Sequence, residues 1–599
     1  MIFNFFILIL VASAFADEHL YEIGDEVEML VNTVGPYSNP SETYQYYSLP
    51  FCQPQHINQR KNTLGEVLEG SMKSNSLYDI PFGVDVAWQS LCTQMLDAHD
   101  IEMFRNAIAE YYYFELFYDD LPVWGFVGSV LRDDDEEEND IEDDSYVDVF
   151  GDADDGDTQY YLFKHLDFTI LHNNGRIIKI NCTADPSKVV LLSDDADELR
   201  VEFSFSAHWH EHDWPYEKRM ELYEDSFFAQ ELEIHWLSIM NSCVLVVLLT
   251  GFLALIVMRV LKSDYARYSR AEDEDDDQED YGWKLVHGDV FRFPNHSLVF
   301  AAYVGLGVQL LVVATLVLAL AVVGTYYPNN GGSMYTSLIS IYAVTSVVGG
   351  FVSGRLYAQM DGKNWTWNLI AQATLFAVPF FCIVFAVNWV AVYKNATAAL
   401  PFTTMVIVLL IWSLVGVPLC VLGGIAGKNT AGSFDAPVRT KNFPREIPYI
   451  AFYRRWYVQM LMSGFLPFSA IYIELFYVFS SIWGHSSYQL FGILMIVFVI
   501  LIIVTTCITV ALTYFQLSME DHRWWWSSFF CGGATSFFIY LYSIFFYLYR
   551  SKMNGVLQGT FYFGYMLVIC YFFFIMLGTV GWYGSLVFVR RIYKNLKFD

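Results

Sequence analysis

From residue 236 onward the chain alternates long apolar runs with short polar stretches. A helix needs about 20 predominantly apolar residues to span the hydrocarbon core of a membrane. The predicted spans are residues 236–258, 298–324, 334–357, 366–393, 402–426, 457–482, 490–515, 525–548 and 561–589. Helices buried in soluble proteins seldom run this long and this apolar so many times in succession. The pattern therefore predicts an α-helical polytopic membrane domain, with nine transmembrane helices, over residues 236–590.

Residues 17–235 instead carry short runs of apolar, β-branched and aromatic residues between turn residues. Residues 159–163, 176–180 and 199–205 are examples, and such runs are typical of β-strands. Apolar residues that recur every three to four positions predict one helix at about 87–117. The segment is long enough for one sizeable core, so we expect a mainly β, sandwich-like domain.

The amino terminus predicts the side of the membrane on which this domain lies. Residues 1–16 contain an apolar run, 5–11, and end in the small-x-small pattern AFA. The run is too brief to span a membrane and is typical of a cleaved secretory signal peptide. Removal of the signal leaves residues 17–235 in the lumen, and an odd number of spans places the tail, residues 591–599, in the cytosol.

Loop charge predicts the same orientation, because Lys and Arg are enriched in cytosolic loops. On the predicted topology nineteen basic residues lie on the cytosolic side. Only three, Lys394, Arg550 and Lys552, lie in lumenal loops.

Composition agrees with a membrane protein, at 55% hydrophobic residues and a mean hydropathy of +0.33. The formal net charge is −31, and residues 17–235 alone hold 48 acidic and 12 basic residues. This acidity excludes nucleic acid as a partner class. Fifteen acidic residues lie in residues 133–157, which predicts a solvated insertion. Calcium binding at 152–157 is the alternative, although the spacing departs from an EF-hand loop.

The predicted lumenal domain has three cysteines, Cys52, Cys92 and Cys182. An oxidising compartment permits one disulfide among them. Cys52 with Cys92 is the preferred pair, although spacing alone does not choose. Asn181 begins an Asn-Cys-Thr sequon and is a glycosylation candidate.

Three histidines, His208, His210 and His212, alternate along one predicted strand. Alternate strand residues share a face, so three imidazoles could converge on zinc. The other interpretation is an exposed polar face, and we expect no metal or other cofactor.

Small residues cluster inside the predicted spans, at Gly349-Gly350, Gly423-Gly424 and Gly532-Gly533 among others. They favour close packing between this protein's own helices. A groove for the transmembrane helix of another protein is the second interpretation.

Glu474 and Asn388 are polar residues inside predicted spans. A carboxylate in hydrocarbon must be protonated, paired or in contact with water. Each residue has two interpretations: a proton-coupled or ligand-binding role, or a structural one, which is a hydrogen bond to a neighbouring helix or a position at interfacial depth near the lumen. HExxH, GxSxG and P-loop patterns are absent from the sequence, so we expect no enzyme activity.

The chain ends in Lys597-Phe598-Asp599. Directly after the last predicted span, this tail can present one cation and two carboxylates to an adaptor protein.

Several sequence blocks together resemble the nonaspanins, the transmembrane 9 superfamily of endomembrane proteins. These blocks are YSLPFC at 47–52, LGEVL at 64–68, DDLPVWG at 119–125, PYEKRM at 215–220, WKLVHGDVFR at 283–292, FLPFSAIYIE at 465–474, EDHRWWW at 520–526 and the terminal Lys-x-Asp. The resemblance implies a multi-pass Golgi or endosomal protein in which Lys597 and Asp599 form a coatomer-binding retention signal. It also implies a role in sorting or surface localisation of client membrane proteins, including clients with glycine-rich spans. The alternative function is a transporter or channel with a polar path near Glu474.

Overall fold

The structure is a computed structural model that describes residues 20–132, 158–185, 187–193, 198–219, 222, 233–273, 282–326, 332–449, 452, 455–484 and 491–594. The predicted signal peptide, the acidic insertion at 133–157 and the terminal Lys597 and Asp599 lie outside these residues.

The described strands between residues 28 and 211 form mainly antiparallel sheets, as expected for a mainly β domain. The strands are Glu28–Pro36 (β1), Tyr44–Gln45 (β2), Ser74–Asp79 (β3), Val86–Asp97 (β4), Tyr112–Tyr118 (β5), Leu121–Phe126 (β6), Gly128–Arg132 (β7), Thr158–Phe163 (β8), His165–Asn173 (β9), Arg176–Ala184 (β10), Val189–Leu191 (β11) and Glu198–Glu211 (β12). One sheet has the order β2-β1-β5-β6, with β3 also paired to β1; a second has β10-β9-β12-β4, and a third β11-β8-β7. Only β9 and β12 pair in parallel among the described strands. The sandwich-like β fold is confirmed.

Side chains along β5 alternate between buried and partly buried, which shows which face of the first sheet packs on the core. Phe114, Leu116 and Tyr118 are buried in the core of the β domain. The residues between them, Tyr113, Glu115 and Phe117, are only partly buried. Successive strand residues point to opposite faces, so the second face of this sheet carries mixed aromatic and acidic side chains.

The predicted helix at 87–117 is wrong over most of its length. Only Ala98–Ala109 (α2) is helical, between β4 and β5. Asp97 begins the helix, because its side chain accepts a hydrogen bond from the Asp100 amide at 2.9 Å. The segment before Asp97 is β4, and most of β4 pairs with β12. This pairing with a distant segment outweighs the helical spacing of apolar residues within β4. Leu64–Glu69 (α1) is also helical in the described part of the β domain.

The described residues from 233 onward are mainly helical. The helices are Glu233–Asp273 (α3), Ser297–Val322 (α4), Ser333–Gln359 (α5), Trp365–Tyr393 (α6), Phe402–Ile411 (α7), Val417–Asn429 (α8), Trp456–Ile482 (α9), Phe491–Ser518 (α10), Trp524–Gly533 (α11), Thr535–Tyr549 (α12) and Val556–Lys594 (α13). In the described part of the chain, nine helical stretches are long and apolar enough to cross a membrane. This confirms the expected number of spans. The fifth joins α7 to α8 through a π-helical turn, Trp412–Gly416, and the eighth joins α11 to α12.

Glycines allow α5 and α8 to pack with their backbones in direct contact. A Cβ at Gly350 would overlap the carbonyl oxygen of Cys420, and one at Gly423 would overlap that of Val347. At Gly532 the space is occupied by the backbone of α13. The small-residue clusters therefore pack this protein's own helices, and the interpretation of these glycines as a groove for another helix is wrong.

Candidate functional site between the β domain and the helix bundle

The β domain is hydrogen-bonded to one end of the bundle through backbone and side-chain groups. The Thr397 amide donates to the Thr43 carbonyl oxygen at 2.8 Å, and the two hydroxyls lie 2.6 Å apart. Asn39 and Asn554 exchange two hydrogen bonds of 2.9 Å. These contacts bring the partly buried face of the first sheet against the bundle, and a cavity of about 1060 Å³ lies between them.

The ceiling of the cavity is the mixed face of β5 and β6. Tyr113, Glu115 and Phe117 line it from β5, with Trp124 from β6. Trp124 lies directly across from Glu115 in the strand register and hydrogen-bonds to its carboxyl group. The side chains of β5 and β6 that point away from the core thus form one wall of the cavity, with aromatic rings and a carboxylate.

The floor of the cavity is one face of α5 together with the end of α7. A stripe of hydroxyl residues comes first along α5: Ser333, Thr336, Ser337 and Ser340. Ile341 and Val344 follow on the same helix, opposite Ile411 and Val415. Residues three and four apart share a helix face, so the spacing produces a wall that changes from polar to apolar with depth.

The π-helical turn borders the apolar end of the cavity. Ser346 on α5 donates a hydrogen bond to the carbonyl oxygen of Gly416 at 2.8 Å. Pro418, two residues later, has no amide hydrogen to donate, and a π turn is one way for a helix to accommodate this loss. The turn therefore has a local cause in the sequence, and it places Ile411 and Val415 at the cavity wall.

A buried ion pair lies at the side of the cavity. The Lys73 ammonium is 3.0 Å from Glu66 and 4.1 Å from the centre of the Phe117 ring, and the residue is 8% exposed. Burial disfavours ionisation of Glu66, but the Thr63 amide and the Lys73 ammonium outweigh it and lower the pKa of Glu66. Glu66 is therefore ionised at neutral pH.

Glu115 has the opposite electrostatic environment. Burial raises the pKa of Glu115, and the charge of Glu69 raises it further. A 2.6 Å hydrogen bond donated by Asn32 opposes this shift only in part. The cavity thus contains a carboxylate whose ionised form lacks sufficient stabilisation from the protein.

The remaining charged residues of the cavity lie nearer to its surface. Arg60 and Asp120 form an ion pair of 3.6 Å with both side chains more than half exposed. Lys61 and Glu69 are also exposed and line the cavity. Exposed pairs of this kind contribute about 0–1 kcal/mol, so Arg60 can exchange its partner at little cost.

The predicted intramembrane residues do not lie in this cavity. Glu474 is 5% exposed in α9, two turns after Pro467. Asn388 in α6 donates to the Leu400 carbonyl oxygen at 3.2 Å and accepts from the Leu400 amide at 2.6 Å. Asn388 therefore holds the loop before α7, which is the structural one of its two interpretations.

Sequence reasoning missed a buried polar network within the bundle. Gln372 of α6 donates to Gln309 of α4 at 3.0 Å, and Gln309 donates to the Tyr342 carbonyl oxygen at 3.1 Å. Ser353 donates to Asn368 at 2.9 Å. Amide side chains inside apolar runs were the available signal, because buried polar groups in a membrane need partners.

The histidine positions do not form a metal site. His208, His210 and His212 are exposed at the end of β12. Across the residues that the structure describes, no three His, Cys, Asp or Glu side chains come together as metal ligands. The zinc interpretation is therefore not supported.

A disulfide joins Cys52 to Cys92, with Cα atoms 6.0 Å apart. It links the segment before α1 to β4 across the core. Cys182 is buried and free, and Asn181 beside it is half-buried in β10.

The other end of the bundle holds the end of α13 in place. The Tyr593 hydroxyl donates to the Trp283 carbonyl oxygen at 2.6 Å, and Tyr265 donates to the Ile592 carbonyl oxygen at 3.0 Å. Tyr593 and Ile592 are buried, whereas Lys594 is exposed. Among the described residues, Tyr593 is therefore the last buried position, four residues before Lys597 in the sequence.

Comparison with known proteins assigns the fold to a family. The family model described as Endomembrane protein 70 matches residues 43–556. The chain belongs to this family. Putative phagocytic receptor 1b of Dictyostelium discoideum is 52% identical over 594 residues, 99% of this chain and 97% of the relative.

Other members of the family are similar over the same length. Transmembrane 9 superfamily member 4 of Arabidopsis thaliana is 48% identical over 583 residues, covering 97% of this chain and 95% of the relative. Transmembrane 9 superfamily member 1 of Mus musculus is 44% identical over 589 residues, with 97% and 94% covered. No solved structure matches the chain. These findings confirm the predicted resemblance, and none of the three names describes an enzyme.

Proposed function

We propose that this protein is a sorting factor of the Golgi and endosomal membranes that helps to deliver or retain other membrane proteins. Its β domain faces the lumen, where it and the bundle contact client membrane proteins, and its tail contacts coatomer in the cytosol. The fixed end of α13 is the observation that carries the proposal. Since Tyr593 donates a hydrogen bond to Trp283 at 2.6 Å, Lys597 and Asp599 are only four and six residues along the chain from a fixed point.

A fixed anchor suits recognition of a short terminal signal. A signal of three residues offers few contacts to its binding partner. If it were joined to the bundle by a long, freely moving linker, ordering that linker on binding would cost entropy and weaken the interaction. Lys597 is only three residues after Lys594 in the sequence, so binding of the signal would cost little chain entropy. The name of the Dictyostelium relative, a putative phagocytic receptor, agrees with contact to other molecules on the lumenal or outer side.

The test replaces Lys597 and Asp599 together with alanine in the full-length chain, with an epitope inserted in residues 133–157 so that the terminal carboxylate stays free. We expect the variant to leave the Golgi and to lose coatomer in a pull-down of the intact protein. Lys594→Ala is the matched control, because Lys594 is an exposed tail cation outside the Lys-x-Asp signal. Equal distribution of both variants and the wild type would remove the tail from the proposal.

A transporter or channel is the second candidate, and Glu474 favours it. Its carboxyl group is buried inside a membrane-spanning helix that also contains Pro467. Ionisable residues at such positions often belong to proton or ion paths.

A further inference from the structure

The cavity between the β domain and the bundle changes in character along one direction. Rings and a carboxylate, from Tyr113, Trp124 and Glu115, lie at the end nearest the sheet. Hydroxyl groups of α5 follow, and the far end is apolar at Val344 and Ile411. A ligand that fills it must be cationic at one end, polar in the middle and apolar at the other end.

The depth of the cavity places its far end inside the membrane. Val344 lies eleven residues beyond Ser333, where α5 begins, and this corresponds to about 16 Å along a helix. The hydrocarbon core is about 30 Å thick. The apolar end therefore reaches acyl-chain depth, while the sheet end lies beyond the membrane surface.

Aromatic rings and carboxylates together are the groups that recognise an ammonium ion. Glu115 suits this role because burial raises its pKa, and a cation beside it would stabilise the ionised carboxylate. Lys73 does not supply that charge in full, because its ammonium is already 3.0 Å from Glu66.

Other groups that line the cavity suit a phosphate. Arg60 and Lys61 are exposed cations at its side, and Arg60 is held only by a weak exposed pair. Within the described residues, the Ser333 hydroxyl is buried without a hydrogen-bond partner and can donate to a phosphate or ester oxygen.

We propose that this cavity binds a zwitterionic phospholipid of the phosphatidylcholine type. The ammonium lies among Tyr113, Trp124 and Glu115, the phosphate lies near Arg60 and the α5 hydroxyls, and an acyl chain lies against Val344. Each chemical group of the lipid thus has matching side chains among those that line the cavity. Four carboxylates and three cations line it, so a net-negative lipid without an ammonium is a poorer match. A volume of about 1060 Å³ is at the upper end of small-molecule sites, which span about 300–1,000 Å³.

The test uses the full-length protein in a maltoside detergent and measures the unfolding temperature during titration with short-chain phosphatidylcholine. Phosphatidylglycerol of the same chain length and free phosphocholine are the comparison ligands. We expect saturable stabilisation by phosphatidylcholine, with both comparison ligands at least about tenfold weaker. Equal stabilisation by phosphatidylglycerol would indicate non-selective annular lipid and would overturn the proposal.

Two variants locate the binding. Glu115→Gln keeps an acceptor for Asn32 but removes the charge, and we expect about tenfold weaker binding of phosphatidylcholine. Val344→Trp fills the apolar end, and it should weaken phosphatidylcholine without changing phosphocholine. If Val344→Trp fails to fold, Val415→Trp tests the same apolar end. Glu211→Gln, exposed on β12, is the control that should bind as the wild type does. Wild-type affinity in both cavity variants would show that the lipid binds elsewhere.

A photo-reactive residue at Ser337 distinguishes a lipid from a polypeptide occupant in cells. Irradiation should yield a lipid adduct on the intact chain, detected by mass spectrometry. A protein adduct in its place would mean that a client segment occupies the cavity, and the lipid proposal would then be wrong. The Lys597 and Asp599 variant should give the same lipid adduct, so this result and that of the sorting test are independent.

Discussion

The side-chain amide of Gln372 donates to the side-chain carbonyl of Gln309 at 3.0 Å, between α6 and α4 and in the interior of the bundle. Both residues are almost fully buried, and Gln309 in turn donates to the Tyr342 carbonyl oxygen of α5. Three membrane-spanning helices are therefore connected by two amide groups. Gly349 provides the space for them, because a Cβ there would press on both side chains.

Gln372→Leu should lower the free energy of unfolding by about 1–3 kcal/mol, because it leaves the buried Gln309 carbonyl without its donor. Interhelical hydrogen bonds in membranes contribute about 0.6 kcal/mol on average, so most of this effect comes from the partner left behind. The double variant Gln309→Leu and Gln372→Leu should therefore lose less unfolding free energy than the two single variants lose in sum. Thermal unfolding of the purified chain in detergent measures this, and strict additivity would contradict the coupling.

Gly350→Ala should destabilise the bundle, since its Cβ would meet the backbone of Cys420 and overpacking costs about 1–3 kcal/mol. Gly251→Ala is the matched control, because a Cβ at Gly251 has nothing within 4 Å. The unfolding temperature should fall for Gly350→Ala and stay level for Gly251→Ala. Similar temperatures for the two variants would mean that α5 and α8 are farther apart than described.

Periodicity and length predicted the number of spans, because hydrocarbon thickness imposes a minimum apolar run on every crossing helix. Periodicity gave the wrong prediction at 87–117, where apolar residues three to four positions apart also fit a strand, a helix and a second strand in succession. The Asp97 cap and the pairing of β4 with β12 decide that region, and pairing between segments a hundred residues apart leaves no local signal.

The cavity was beyond sequence reasoning for the same reason. Glu115 and Val344 are more than two hundred residues apart in the chain, and each looks ordinary in its own segment. Only the contact between the sheet and α5 makes them walls of one site. Gln309 and Gln372 are each recognisable in the sequence as an amide inside an apolar run, but the sequence does not show that they are partners.

Replacing Cys52 and Cys92 with serine should destabilise the β domain. The disulfide closes a loop with a sequence separation of 40, and loss of such a constraint costs about 4 kcal/mol in the chain-entropy estimate. Thermal unfolding of the full chain, with and without reductant, measures this loss. Cys182→Ser is the control: Cys182 is buried and free, so it should leave the response to reductant unchanged.

The stability of Glu115→Gln relative to the wild type should depend on pH. Burial and Glu69 raise the pKa of Glu115 in the folded chain, opposed by Asn32, Trp124 and Lys73. The unfolded chain therefore releases this proton first, and the wild type loses stability as pH rises from about 4.3, the ordinary carboxyl value, through the raised folded pKa. Glutamine cannot ionise, so the variant should match the wild type near pH 4 and be more stable near pH 7.

Unfolding temperatures of both proteins across that range measure the difference. The slope contributed by one proton cannot exceed about 1.4 kcal/mol per pH unit. A difference that is constant with pH would mean that Glu115 has an ordinary pKa and a solvated carboxylate.

Glu474→Gln separates the sorting and transport hypotheses. Glutamine has nearly the same shape and can still hydrogen-bond, but it cannot carry a proton, so a relay through Glu474 would stop while helix packing in α9 stays. If the residue is structural, the variant should keep its localisation and client distribution, and liposomes containing either protein should show the same proton flux. If the chain transports protons, wild-type liposomes should acidify under an imposed gradient and the variant should not. Asn388→Asp adds a carboxyl group where Asn388 now accepts and donates to Leu400, and it should impair folding without creating flux.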